Sequence, residues 1–178
     1  MRGTIVPLNV ADVHAAMPSV DVALVEIQRL ERKTFPRSEH TWPGDCQPRL
    51  TTRQHVLIAN NSTGKHTKKK GKVDRAATTQ ACLLAGYLTI QLDPARSQIT
   101  KLAVSPTYRG KGIGTELVRQ ATMLSTTLGR QRCELHVDPE RIAARRLYER
   151  CGFEEHGTVE DYYGTGRDAI ALRWQASL

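Results

Sequence analysis

The sequence predicts an α/β fold: a mixed β-sheet with helices on its faces. Three observations predict it. Apolar residues recur at two spacings, every second position or unbroken in short runs and every third or fourth in longer ones. Those runs follow one another in the order β-α-β-β-β-α-β-α-β-β, with no internal repeat. A glycine-dense turn, "YRGKGIG" (108–114), stands between a strand run and a helical run. With 178 residues, 39% of them hydrophobic, the chain is expected to form one domain over 1–178 around a proper core.

In chain order, "GTIVPL" reads as a short first strand. Residues 10–33 carry helical spacing, with Val20, Leu24, Ile27 and Leu30 on one face. Pro36, Pro43 and Gly44 break "TFPRSEHTWPGD" into a loop. "HVLIAN" (55–60) is a strand, and 60–80 has no apolar periodicity, which suits a flexible insertion between strands. "ACLLAGYLTIQL" (81–92) is the central strand, and "SQITKLAVS" (97–105) follows after a turn at "DP". After the glycines, Leu117, Val118, Ala121, Leu124 and Leu128 mark a helix over 115–129, with Gly129 at its C-terminal cap. "RCELHV" (132–137) alternates, setting Cys133, Leu135 and Val137 opposite Glu134 and His136. "DPERIAARRLYERCG" is a helix that Asp138 can cap, with Pro139 at its first position and Gly152 at its end. "FEEHGTVEDYY" and "DAIALRW" are two closing strands joined by "GTGR".

The net charge of +8 is unevenly spread. Lys65, Lys68, Lys69, Lys70, Lys72 and Arg75 face the single acid Asp74, so one polar segment holds five of the eight excess charges. That segment, Lys65–Arg75, is either a solvated loop or a dock for ribosomal or other RNA through phosphate contacts. Cys46, Cys82, Cys133 and Cys151 form no CxxC pair and have no histidine at ligand spacing. Reduced core thiols are expected, with no disulfide and no metal. No run approaches the roughly 18 apolar residues of a membrane helix, and the first residues show no signal-peptide block. The expectation is a cytoplasmic protein, with the nucleus open, and no membrane partner.

The glycine turn opens a helix, where unpaired backbone N–H groups favour an anion. Arg109 and Lys111 add positive charge, so a phosphate or pyrophosphate is the natural guest. The Walker pattern is absent, and Leu117 stands where GxGxxG would need its last glycine. What remains is Arg-x-x-Gly-x-Gly, from Arg109 to Gly114, between a strand and a helix.

"LAVSPTYRGKGIGTELV" followed by "LHV…ARRLYERCGF" resembles the GNAT family of N-acetyltransferases, strongly over 97–174 and more weakly before. The resemblance implies a mostly antiparallel mixed sheet whose fourth and fifth strands splay around acetyl-CoA, the co-substrate. It implies that Arg109, Gly110, Lys111, Gly112, Ile113, Gly114 and Thr115 cradle the pyrophosphate. It sets Leu102, Ala103 and Val104 along the pantetheine arm and Tyr148 beside the acetyl group and sulfur. Tyr148 would then protonate or hydrogen-bond the departing thiolate; the alternative is a core aromatic on a helix stripe, lined by Ala144, Leu147 and Cys151.

"TFPRSEHTW" and "EDYYGTGRDAIAL" resemble the ribosomal-protein alanine acetyltransferases, which implies that Phe35, Pro36, Tyr162 and Tyr163 wall the groove for a protein N-terminal peptide. "LHV" is similar to the eukaryotic N-terminal enzymes, which implies His136 as general base; a purely structural strand histidine is the alternative. An α-amine, with pKa near 7.7–8.0, is roughly one-tenth neutral at pH 7, against roughly one lysine in several thousand, so a modest base suffices. Two departures stand out: "SQITKLAV" carries no tyrosine as a second catalytic group, and Arg141 replaces the asparagine common at the later helix start. Protein lysine or a small amine such as a polyamine is the rival substrate, although none of the 18 acidic residues cluster near the proposed groove in the sequence. A non-catalytic RNA-binding module is the rival of another class, and the resemblance also admits an auxiliary subunit.

Overall fold

The computed structural model describes residues 5–8, 20–41, 53–60 and 84–176. The Lys-rich segment, Cys46, Cys82 and the first half of the expected helix 10–33 lie outside the described residues. The elements are β1 (Ile5–Leu8), α1 (Val20–Thr34), β2 (Gln54–Asn60), β3 (Leu84–Leu92), β4 (Ser97–Val104), α2 (Ile113–Thr127), β5 (Arg132–Val137), α3 (Ile142–Arg150), β6 (Glu154–Val159) and β7 (Ala169–Gln175), with short 3-10 turns at Arg37–Glu39 and Pro106–Tyr108.

The strands form one sheet in the order β1-β2-β3-β4-β5-β7-β6. Every neighbouring pair is antiparallel except β4 and β5. The period-two alternation divides the core. Val56 and Ile58 join Ala23, Leu24, Ile27, Leu30, Tyr87 and Ala103 under α1. Leu57 and Ala59 join Leu88, Leu117, Val118, Ala121, Leu135 and Tyr148 under α2 and α3. The sheet is therefore covered on both faces over β2 to β4, and β3 is buried along nearly all its length. The edge strand β6 is exposed throughout and carries Glu154, Glu155 and a bulge before Gly157, features that discourage further pairing. Cys133 has no exposed surface and Cys151 packs against the same core, as expected of structural thiols.

Two features shape the gap where a ligand could enter. First, β4 and β5 pair only at Ser97–Cys133, Gln98–Glu134 and Ile99–Leu135, and beyond Ile99 they part. Second, the β3–β4 register slips there: Ile90 faces Ile99 while Thr89 faces Lys101, so Thr100 is an extra residue. A bulge bends its strand and raises its twist, which carries β4 away from β5. Thr100 Oγ1 shares a hydrogen bond with Thr89 Oγ1 at 2.8 Å and pins the bulge. The slip also reverses the faces. Ile99 and Leu102, three apart instead of two, both meet the α2 side, while Lys101 and Ala103 turn to α1.

Two boundaries correct the sequence reading. α3 begins at Ile142 with Arg141 as its cap residue, so Asp138 does not cap it and Pro139 is not its first position. The Asp138 carboxylate accepts instead from the Glu140 N–H at 3.0 Å, closing a local turn before the helix. Tyr162 and Tyr163 lie in the turn after β6, outside either closing strand.

Gly86 marks the tightest backbone approach in this region. A Cβ there would stand 2.9 Å from the Ala103 carbonyl oxygen and 3.3 Å from Val104 Cγ2. Gly86→Ala must push β3 from β4, and the expected cost is about 1–3 kcal/mol. A thermal melt should show Tm lower by roughly 3–10 °C; an unchanged Tm would mean the strands yield freely.

Candidate active site

The parted strands open into a cavity of about 360 Å³. Ile99 to Leu102 form one wall, His136 and Val137 of β5 the next, and Arg141, Ala144 and Tyr148 a third. Phe35, Ser38 and Glu39 close it from the loop after α1, and Tyr162 and Tyr163 from the turn between β6 and β7. Six residues singled out from sequence thus share one cavity: Phe35, Leu102, His136, Tyr148, Tyr162 and Tyr163. Pro36 does not line it; it is exposed and precedes the 3-10 turn. Ala103, Val104 and the glycine turn lie further along β4, at the other end of the gap.

His136 is half-buried and stacks on Tyr162, with centroids 4.5 Å apart and planes at 22°. Its Nδ1 lies 3.4 Å from Gln98 Nε2. Burial pulls the imidazole below its ordinary pKa, Arg96 adds to this, and Glu134 opposes it. The ring is therefore neutral and able to take a proton at neutral pH. Tyr148 is 7% exposed, with its ring tilted on Phe153 at 5.8 Å. Burial, reinforced by Tyr163, pushes its phenol up. Tyr163 donates to the His136 carbonyl oxygen at 3.3 Å and stands edge-on to Tyr162 at 4.8 Å. Burial and its neighbour Tyr162 push it up to about 12.

Sequence reasoning missed the charged frame around these rings. Glu31, on the core-facing side of α1, has no exposed surface. It accepts from Tyr87 Oη at 2.8 Å, Thr41 Oγ1 at 2.6 Å and the Thr41 N–H at 3.0 Å, and pairs with Lys101 Nζ at 3.5 Å. Lys101 also donates to the Glu39 carbonyl oxygen and lies over the Phe35 ring at 4.8 Å. Burial lowers its pKa while Glu31 resists the shift. On the other side Glu39 accepts from Arg141 at 2.8 Å and Arg167 at 3.1 Å, and Arg167 reaches Asp138 at 2.9 Å. Arg141 also lies over the Phe35 ring, at 5.1 Å, and Arg167 lies over Tyr163 at 5.2 Å. Acidic residues thus do gather at the groove, against the sequence expectation, but each is paired with a base.

At the far end, Gly110 and Gly112 have φ of +73° and +80°, and nothing lies within 4 Å of where a Cβ would stand. Gly112 is the cap residue of α2, and the first helical bond runs from the Glu116 N–H to its carbonyl. The N–H groups of Ile113, Gly114 and Thr115 are thus left without partners inside the helix. Lys111 lies over Tyr108 at 5.0 Å, and Arg109 folds back to donate to the Val104 carbonyl at 3.2 Å. An anion of pyrophosphate size fits this open, donor-rich turn.

The buried pair makes a stability prediction. Glu31→Ala strands the Lys101 ammonium and removes the partner of Tyr87, which should cost about 3–5 kcal/mol. Adding Lys101→Met should recover a large part of that loss in chemical denaturation, because no uncompensated charge remains. A double variant as unstable as the single one would show that the pair is not what matters.

The comparisons with known proteins agree with this geometry. A family model described as "Acetyltransferase (GNAT) family" matches residues 24–153. A Bacillus subtilis protein named as a candidate ribosomal protein bS18-alanine N-acetyltransferase is 34% identical over 90 residues, 50% of this chain and 60% of that protein. N-alpha-acetyltransferase 30 of Schizosaccharomyces pombe is 35% identical over 75 residues, 42% of this chain and 50% of that protein. Spermidine N(1)-acetyltransferase of Vibrio cholerae is 38% identical over 74 residues, 40% of this chain and 43% of that protein. The chain spans about half the length of these curated relatives. The crystal structure of the Escherichia coli ribosomal-protein-S18-alanine N-acetyltransferase shares the fold, with TM-score 0.66 and 21% identity over 99% of this chain and 96% of that one. Since the family model runs from Leu24 through the parted strands and the glycine turn to Phe153, this chain belongs to the GNAT acetyltransferase family.

Proposed function

We propose that this protein transfers the acetyl group of acetyl-CoA to the N-terminal α-amine of a protein or peptide. One observation carries the reading. The cavity between β4 and β5 is walled on its outer side by Phe35, Tyr162 and Tyr163 and floored by a neutral histidine and a buried tyrosine. Relatives named for α-amine acetylation support it. The structure of the NatC complex bound to Gag peptide and CoA, at TM-score 0.66 and 21% identity, shares the fold.

Acetyl-CoA would lay its pyrophosphate on the N–H groups opened by Gly110 and Gly112 and run its pantetheine arm along Leu102–Val104, where β5 no longer pairs. Backbone N–H groups of that strand would stabilise the oxyanion as it forms. The neutral amine attacks the thioester carbon, and His136 takes the proton the nitrogen must lose, directly or through water. The C–S bond breaks and the electron pair leaves on sulfur. A thiol titrates near 8.5 and the Tyr148 phenol is pushed above its ordinary 10, so Tyr148 hydrogen-bonds the thiolate and keeps its own proton. The thiolate takes its proton from solvent.

Three measurements test the reading. A peptide panel with varied first residues should be acetylated at the α-amine, while a blocked peptide with an internal lysine should not. Turnover of the blocked peptide at equal kcat/KM would overturn the α-amine assignment. Below the His136 bend both the α-amine and His136 must shed a proton, so log kcat/KM should rise with a slope near two there and near one from that bend up to the α-amine pKa. Because burial lowers the His136 pKa, its bend should fall below 6.5. His136→Ala should lose roughly 10²-fold and its slope should drop to one; an unchanged profile would leave water as the base. Gly112→Glu, still folded by its melt, should abolish detectable acetyl-CoA binding in calorimetry, since it sets a carboxylate where phosphate would sit.

A further inference from the structure

Among the described residues, Glu39 is the only carboxylate lining the cavity, and each of its oxygens already accepts from an arginine. Oε2 accepts from Arg141 and Oε1 from Arg167. Two cations line the same cavity, Lys101 and Arg141. Lys101 spends donors on Glu31 and on the Glu39 carbonyl, out of the three an ammonium has. Arg141 is bonded through one terminal nitrogen to Glu39, out of five N–H donors, and its side chain is 33% exposed. The hydrogen-bonding capacity left on the charged wall is therefore mostly of donor type, most of it on Arg141. A carboxylate entering here finds free donors, whereas an ammonium finds two like charges and one acid whose charge two guanidinium groups already offset. Half-burial strengthens both effects, because the field is less screened than in open water.

We propose that this cavity accepts an acidic side chain beside the substrate's α-amine and rejects a basic one, with Arg141 and Lys101 as the specificity-determining residues. The inference rests on the cavity being the peptide site. It also excludes polyamines, whose remaining ammonium groups would meet the same wall. Specificity here comes as much from repulsion of the wrong partner as from attraction of the right one.

The test compares kcat/KM on three peptides that differ only in the second residue, Glu, Ala or Lys, with spermidine as a fourth acceptor. The Glu peptide should exceed the Lys peptide by roughly tenfold or more, with Ala between, and spermidine should not turn over. Lys101 is a poor probe, since its loss strands Glu31. Arg141→Gln is the better one: it removes the charge, keeps a planar amide, and frees one Glu39 oxygen. The Glu-to-Lys ratio should fall at least about fivefold in that variant, mainly through peptide KM, and turnover of the Lys peptide should rise in absolute terms. Damage to the fold alone cannot produce that gain. Equal turnover of the Glu and Lys peptides by the wild type would overturn the inference alone. So would an Arg141→Gln variant that slows all three peptides alike, or that raises only the KM for acetyl-CoA. Failure of all three peptides would instead sink the peptide reading, and this inference with it.

Discussion

The site depends on one constraint: β4 and β5 are parallel neighbours that stop pairing after three residues. Backbone donors and acceptors in a sheet interior must find partners. A sheet that opens in its middle leaves a strip of them unspent unless something else arrives. Here the extra residue at Thr100 makes the parting permanent, because β4 cannot rejoin β5 without losing its register with β3. α2 and α3 then cover the gap from one side and α1 supports it from the other. The cavity is thus a property of the sheet, and the side chains only furnish it.

The buried Glu31 carboxylate determines how the Phe35 side of the cavity is built. A carboxylate with no exposed surface is tolerable only with a full set of partners. Glu31 collects them from β3, β4 and the segment after α1, through Tyr87, Lys101 and Thr41. The loop bearing Phe35 and Glu39 is thereby fixed to the sheet at both ends, by the helix before it and by Thr41 after it. Lys101 and Arg141 both lie over the Phe35 ring, so the wall it offers is a positioned ring.

Much of this was legible in the sequence, for local reasons. Val56 and Ile58 alternate with Leu57 and Ala59, and a strand with both faces apolar lies in a sheet covered on both sides. The glycine turn announces a helix start, and the structure places Gly112 there with a positive φ. Alternation failed in β4, where strict period two would put Ile99, Lys101 and Ala103 on one face; a single bulged residue has no spacing signature. The α3 cap failed because Asp138 offers its carboxylate to a nearer N–H and to Arg167. Glu31 follows Leu24 by seven and Ile27 by four, so it shares their buried face, but its residue type carries no signal of burial. Glu39, Arg141 and Arg167 come from three segments, and ionic partners so far apart in the chain leave no local pattern.

The linkage of Arg141 to Glu39, Glu39 to Arg167 and Arg167 to Asp138 has an evolutionary consequence. Three segments that would otherwise vary independently are joined into one heritable unit. Reversing Glu39 or Arg167 leaves two neighbours mismatched, reversing Arg141 or Asp138 leaves one, and changing the length of either loop pulls the remaining ends out of reach. Divergence at this set must therefore proceed by paired replacements or by dismantling the whole of it at once. Descendants of this chain should then fall into discrete classes, each with its own charge pattern at positions 39, 138, 141 and 167, with few intermediates between them.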